Sequence, residues 1–136
     1  MACGARRWQA RDVAVRVVTV DDHVPFLRVA EQLIDATPGF ESAGKASSGR
    51  EALAAVERTR PALMLVDVRM PDLDGVEVAR RVKAMLPDTV VVLISAEEPG
   101  ELMPRATGCG AAALVRKQEL APAMLEGLWR EYGPHA

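Results

Sequence analysis

The chain has 136 residues, 49% of them hydrophobic and 26% charged, with a formal net charge of -2. That suits one globular core; it is too apolar for a disordered segment and lacks the positive field that attracts nucleic acid. No apolar run is long enough to span a bilayer, the basic start with Arg6, Arg7 and Arg11 lacks the apolar stretch of a secretory signal, and Cys3 and Cys109 are too few for a disulfide framework. A reducing, cytoplasmic setting is the expectation.

The first apolar run, Val15 to Val20, reads as a strand and ends in the acidic pair Asp21-Asp22. Phe26, Leu27, Ala30, Leu33 and Ile34 then recur at helical spacing, with Pro25 at an early helical position and Pro38-Gly39 as the stop. Phe40 to Ala46 is a weaker strand, and Ser47-Ser48-Gly49 is a turn and cap before an Ala-rich helix over Arg50 to Arg60, expected to bury Leu53 and Val56. Leu63 to Val66 is a buried strand that runs into the lone carboxylate of Asp67 and turns through Met70-Pro71-Asp72-Leu73-Asp74-Gly75. A helix from Gly75 turns Val76, Ala79, Val82 and Leu86 inward and ends at Pro87-Asp88. Thr89 to Ile94 is almost wholly apolar, as in a central parallel strand covered on both faces, and Ser95 stands at its end.

Pro99-Gly100, Pro104 and Gly108 oppose a long helix after Ser95, so a short, irregular fourth helix is predicted there. A brief strand, Ala112 to Val115, runs into Lys117. Leu120, Met124, Leu125, Leu128, Trp129 and Tyr132 form a closing amphipathic helix that either covers the sheet or forms a homodimer face. Gly108-Cys109-Gly110 followed by alanines matches a dinucleotide fingerprint as a bare pattern, but it precedes a strand instead of following one. Strand and helix alternate about five times, which predicts a doubly wound α/β fold, a five-stranded parallel sheet with right-handed crossovers. The expected organisation is a flexible N-terminal extension over 1–14, one domain over 15–132 and a tail over 133–136.

In such sheets ligands bind beyond the carboxyl ends of the strands, where the strand order reverses. Asp21, Asp22, Asp67, Ser95 and Lys117 all fall at strand ends, and if the order is 2-1-3-4-5 the first and third strands are neighbours and bring Asp22 and Asp67 together. Crowded carboxylates repel unless a cation is present, and hard oxygen ligands favour Mg²⁺ over softer metals. Taken singly the residues have plainer readings: Asp21 and Asp22 as helix caps, Asp72 and Asp74 as turn residues, His23 as packed or solvent-facing, and Lys117 beside Arg116 as a solvated basic edge.

With Asp21-Asp22, Asp67-Val-Arg-Met-Pro-Asp-Leu-Asp-Gly75, Ser95 and Lys117 in this order and spacing, the chain resembles the receiver (CheY-like) domains of two-component response regulators from Val15 to Tyr132. Asp-Asp-His at 21–23 and the run Arg60 to Asp67 resemble the NarL/LuxR-type branch, whose receivers precede a helix-turn-helix domain. The resemblance implies a flavodoxin-like receiver fold, with Asp67 as the phosphoacceptor. It further implies Mg²⁺ held by Asp22, Asp21 (through water), Asp67 and the backbone carbonyl of Arg69, with Lys117 and Ser95 binding phosphoryl oxygens. Arg69 and Glu97 occupy the positions that tune phosphoryl lifetime in this family, and a lid salt bridge between them is expected. The implied partners are a histidine kinase or phosphotransfer protein and an unknown downstream protein, with no direct nucleic-acid binding and no turnover enzyme activity.

Two departures stand out. Leu114 occupies the switch position, where receivers carry Tyr or Phe, and Pro104 interrupts the fourth helix, so a weak response is expected on that face. The short remainder after Glu131 leads to the expectation of a stand-alone receiver. The alternatives are the excised receiver of a longer DNA-binding regulator and a receiver-fold interaction module that works without phosphorylation. An aspartyl phosphohydrolase is disfavoured because Arg69 occupies the place of its acid/base carboxylate.

Overall fold

The computed structural model describes residues 14–97 and 108–134, together with Gly100, Pro104 and Ala106. Five strands form one parallel sheet in the order β2-β1-β3-β4-β5, matching the predicted order: β1 Val15–Val20, β2 Phe40–Ala46, β3 Leu63–Asp67, β4 Val90–Ser95 and β5 Ala113–Arg116. The three inner strands are apolar because both of their faces are covered. The helices α1 (Val24–Ala36), α2 (Gly49–Thr59) and α3 (Gly75–Met85) and a C-terminal helix (Pro122–Tyr132) supply that cover. The predicted irregular fourth helix, the weak response expected there, and most of the N-terminal extension concern segments that lie outside the described residues, apart from the three residues named above.

Alternation along each strand divides the core. Val18, Val20, Met64, Val66, Val91 and Leu93 pack with α2 and α3, whereas Val17, Leu63, Leu65, Val92 and Ile94 face Ile34 of α1 and Leu125 of the C-terminal helix. Leu53 is only partly buried, contrary to expectation, because α2 turns Ala52, Ala55 and Val56 to the sheet instead. The C-terminal helix buries Leu125 and Leu128, with Met124 and Trp129 packed beside them; Tyr132 is 41% exposed. Most of its apolar stripe therefore covers the sheet.

Local chemistry fixes the helix starts. Ser48 caps α2 by accepting from the Glu51 amide at 3.1 Å, and Asp74 caps α3 by accepting from the Glu77 amide at 3.0 Å. The glycines of the 108–110 loop both adopt positive φ before β5, so this stretch is a turn and not a phosphate-binding helix start.

Candidate functional site

Parallel pairing in this register delivers Asp21, Asp67, Ser95 and Lys117 to one edge of the sheet. Oxygens of Asp21, Asp22 and Asp67 all lie within 4.8 Å of one another. Asp21 is fully buried, Asp67 is 7% exposed and Asp22 is exposed. Neither Asp21 nor Asp22 caps the following helix: the N-cap of α1 is His23, and its side chain makes no capping bond. Asp21 Oδ1 instead accepts from the His23 amide at 2.8 Å, which holds the carboxylate at the end of β1. The plain reading of the pair as helix caps therefore fails.

Lys117, the first residue after β5, places Nζ 2.5 Å from Asp21 Oδ2 and 3.3 Å from Asp67 Oδ2. The nearer contact is an ion pair without hydrogen-bond alignment, so the buried Asp21 Oδ2 has no true hydrogen-bond partner. The ammonium also lies 4.9 Å from the centroid of the Phe26 ring, at the start of α1. Sequence reasoning placed Phe26 in the apolar stripe of α1 and missed this contact, since nothing in a helical period reveals that a ring will face a lysine 91 positions later.

Burial is the main cause that pushes the Asp67 carboxyl up to about 6, and the Asp21 charge pushes the same way; Lys117 and the Arg69 amide, which donates to Asp67 Oδ1 at 3.2 Å, pull against them. For Lys117, burial favours the neutral amine, but its close contacts with and charge attractions to Asp21 and Asp67 outweigh it and hold the pKa above the ordinary value. A carboxyl near 3.8 when unfolded and near 6 when folded binds more protons in the folded state between those pH values. Stability from this group is therefore lost as pH rises from about 4 to about 6, and the cost persists above that. Metal-free Asp67→Asn is expected to be more stable than the parent at pH 7 by on the order of 2 kcal/mol, a rise of several degrees in Tm, with the gain gone at pH 4. Thermal melts in a chelator across that range check it, and equal melting temperatures at pH 7 would refute it.

Beside these carboxylates is an open cleft of about 400 Å³ lined by Asp22, Val68, Arg69, Met70, Pro71 and Asp74. Arg69, which lines it, has Nε 2.5 Å from Glu97 Oε1 in an exposed ion pair, so the structure brings these two residues together. Ser95 is buried, and its Oγ accepts from the Glu97 amide at 2.9 Å. Leu114 is half-buried on β5, opposite Leu93, and lines a separate cavity of about 220 Å³ with small residues such as Ala111 and Ala113. Asp72 and Asp74 are more than turn residues. Asp74 caps α3, a role its spacing to Glu77 could have signalled, and Asp72 binds α2 in a way no local pattern encodes.

The donor set suits Mg²⁺: three carboxylates in reach of one ion, a buried oxygen lacking a hydrogen-bond partner, and a carboxyl whose ionised form is disfavoured by burial and by the Asp21 charge. Asp21, Asp22 and Asp67 can hold such an ion, and the Arg69 carbonyl lies on the loop that follows Asp67.

Residues 17–128 match the response regulator receiver domain. The DNA-binding transcriptional activator DevR/DosR of Mycobacterium tuberculosis is 35% identical over 103 residues, 76% of this chain and 48% of that protein. The signal receiver domain of the response regulator NarL from the same organism superposes with a TM-score of 0.74 at 34% identity, covering 84% of this chain and 95% of that one. The response regulator domain of Thermotoga maritima CheB gives 0.75 at 26% identity, covering 88% and 96%. The chain spans about half or less of the length of the curated relatives it matches. With its sheet order, its acidic edge and its match over most of its length, the chain belongs to the response regulator receiver domains, the CheY-like signalling modules of two-component systems.

Proposed function

We propose that this receiver is a cytoplasmic, phosphorylation-dependent switch: Asp67 accepts a phosphoryl group from a histidine kinase or phosphotransfer protein, and the modified chain changes its protein partners. The observation that carries the reading is the convergence of Asp67, Asp21, Asp22 and Lys117, with Asp22 lining an open cleft. In the step proposed, a carboxylate oxygen of Asp67 forms a bond to phosphorus while the bond from phosphorus to the donor's imidazole nitrogen breaks. The imidazole keeps the electron pair, and an acyl phosphate remains on Asp67. Asp21, Asp22, Asp67 and the Arg69 carbonyl would hold Mg²⁺, which supplies positive charge against the phosphoryl oxygens. Lys117 is a point charge within reach of the same oxygens, and Ser95 has a hydroxyl proton to donate to one of them. The exchange is self-catalysed modification and not turnover. Phosphorylation by acetyl phosphate in the presence of Mg²⁺ tests the reading directly.

The Arg69–Glu97 pair is exposed and contributes little to stability, so its proposed role is to restrict water at the cleft rim. Arg69→Ala is expected to shorten the lifetime of phosphorylated Asp67 severalfold, as followed by loss of the adduct in intact mass after the donor is removed. An unchanged lifetime would dispose of the lid.

One observation supports a second reading. Leu114 has no ring or hydroxyl with which to report on Asp67, as a receiver-fold interaction module working without phosphorylation would permit. Failure of Asp67 to accept a phosphoryl group would favour that module.

A further inference from the structure

We infer that Asp72 is a positioning residue for the proposed metal site: it latches the loop carrying Arg69 to the N-terminus of α2 and so sets the spacing of the cleft wall opposite Asp22. The inference rests on the reading of Asp21, Asp22, Asp67 and Arg69 as the Mg²⁺ site. The first amides of a helix have no partner within it. In α2 the Glu51 amide is taken by Ser48 Oγ, but the Gly49 and Arg50 amides have no acceptor in their own segment. Both are supplied from 22 and 23 residues away: Gly49 N donates to Asp72 Oδ1 at 3.0 Å and Arg50 N to Asp72 Oδ2 at 3.1 Å. One carboxylate thus spends both oxygens on one helix end, where the helix dipole also favours negative charge. These amide bonds hold the Asp72 carboxyl below its ordinary range.

The joint is tight on its other side as well. A Cβ on Gly49 would lie 2.5 Å from Leu73 Cβ and 2.8 Å from the Leu73 carbonyl oxygen, so glycine is what lets the loop approach the helix. Arg69, Met70, Pro71 and Asp74, all within three residues of Asp72, line the cleft that Asp22 faces. A latch at Asp72 fixes one end of that wall, and the Arg69 amide bonded to Asp67 fixes the other. Groups that hold metal ligands in place without touching the ion commonly govern affinity by about 10- to 100-fold.

The test is an NMR titration of the full chain with MgCl₂, reading the Asp22, Val68 and Arg69 amides, alongside thermal melts. Asp72→Ala is expected to weaken Mg²⁺ binding about tenfold while the amide spectrum stays dispersed. Asp72→Asn, which loses the charge but keeps one acceptor oxygen, is expected to recover most of that loss. Gly49→Ala, which leaves every charge in place and pries the joint from the helix side, is expected to weaken binding to a similar degree. A simple electrostatic role for Asp72 would instead make Asn as poor as Ala and leave Gly49→Ala normal, and that pattern overturns the inference. Wild-type affinity in a folded Asp72→Ala chain overturns it too, while the metal-site reading survives. Absence of Mg²⁺ binding to the wild-type chain removes the metal-site reading and the latch with it.

Discussion

Incubated with acetyl phosphate and Mg²⁺, the chain is expected to gain a single phosphoryl group, and Asp67→Asn is expected to gain none. The effect is all or nothing because the amide has no ionised oxygen to attack phosphorus. Asp21 cannot substitute: it is fully buried, with one oxygen committed to the His23 amide and the other against Lys117. Asp22 is exposed but at the end of β1, whereas Asp67 sits next to Lys117 with its second oxygen held by the Arg69 amide. The cation serves a further purpose. Burial and Asp21 together favour the protonated, unreactive carboxyl of Asp67, and a nearby positive charge reverses that preference. Removing Mg²⁺ with a chelator is therefore expected to stop the reaction as thoroughly as the substitution. Intact mass reads both experiments. An adduct that persists in Asp67→Asn would assign the chemistry to another residue. Continuous release of phosphate without an accumulating adduct would indicate a hydrolase.

Gly75→Ala is expected to be the most damaging Gly→Ala substitution among the described glycines, costing about 3 kcal/mol or more and lowering Tm by roughly ten degrees. A Cβ at this position would lie 2.2 Å from the Asp67 carbonyl oxygen and 2.9 Å from both the Asp67 carbonyl carbon and Val68 Cα. Those are backbone atoms, and they cannot step aside as a side chain can. The Gly75 amide also donates to the Val68 carbonyl at 2.8 Å, so relief of the clash would break the turn that returns the chain from β3 to α3. The atoms pushed are those of the proposed phosphoacceptor, and the folded fraction should lose phosphorylation as well. Gly127→Ala in the C-terminal helix is the control. Its added Cβ meets nothing within 4 Å, and it is expected to stabilise the chain by about 0.5–1 kcal/mol. Chemical denaturation of both variants decides the matter; near-equal midpoints would show that α3 does not approach β3 so closely.

The sheet was legible because each inner strand carries apolar residues on both faces and ends at a polar residue. The last strand shows the limits. Ala112 to Val115 was placed one residue early because alanine marks no boundary; pairing of Ala113 with Val92 sets the true start. In α2, size alone suggested Leu53 for the core, yet the close helix-to-sheet approach favours Ala52 and Ala55. The site divides the same way. Asp21, Asp22, Asp67, Ser95 and Lys117 could be found because strand ends converge by topology. The contact of Lys117 with Phe26 and the bonds of Asp72 to Gly49 and Arg50 could not, since they join segments whose facing depends on how helices seat on the sheet.

The ammonium of Lys117, wedged against Asp21 and braced by the Phe26 ring, also bears on which ions this pocket will admit. It is a monovalent cation on a tether, always at high local concentration. Sodium or potassium ions offer the carboxylates no more charge than the lysine already brings, and they must arrive from dilute solution. A divalent ion would bring twice the charge to the same carboxylates. Under the proposed metal-site reading, Lys117 would thus be a built-in competitor that favours doubly over singly charged ions.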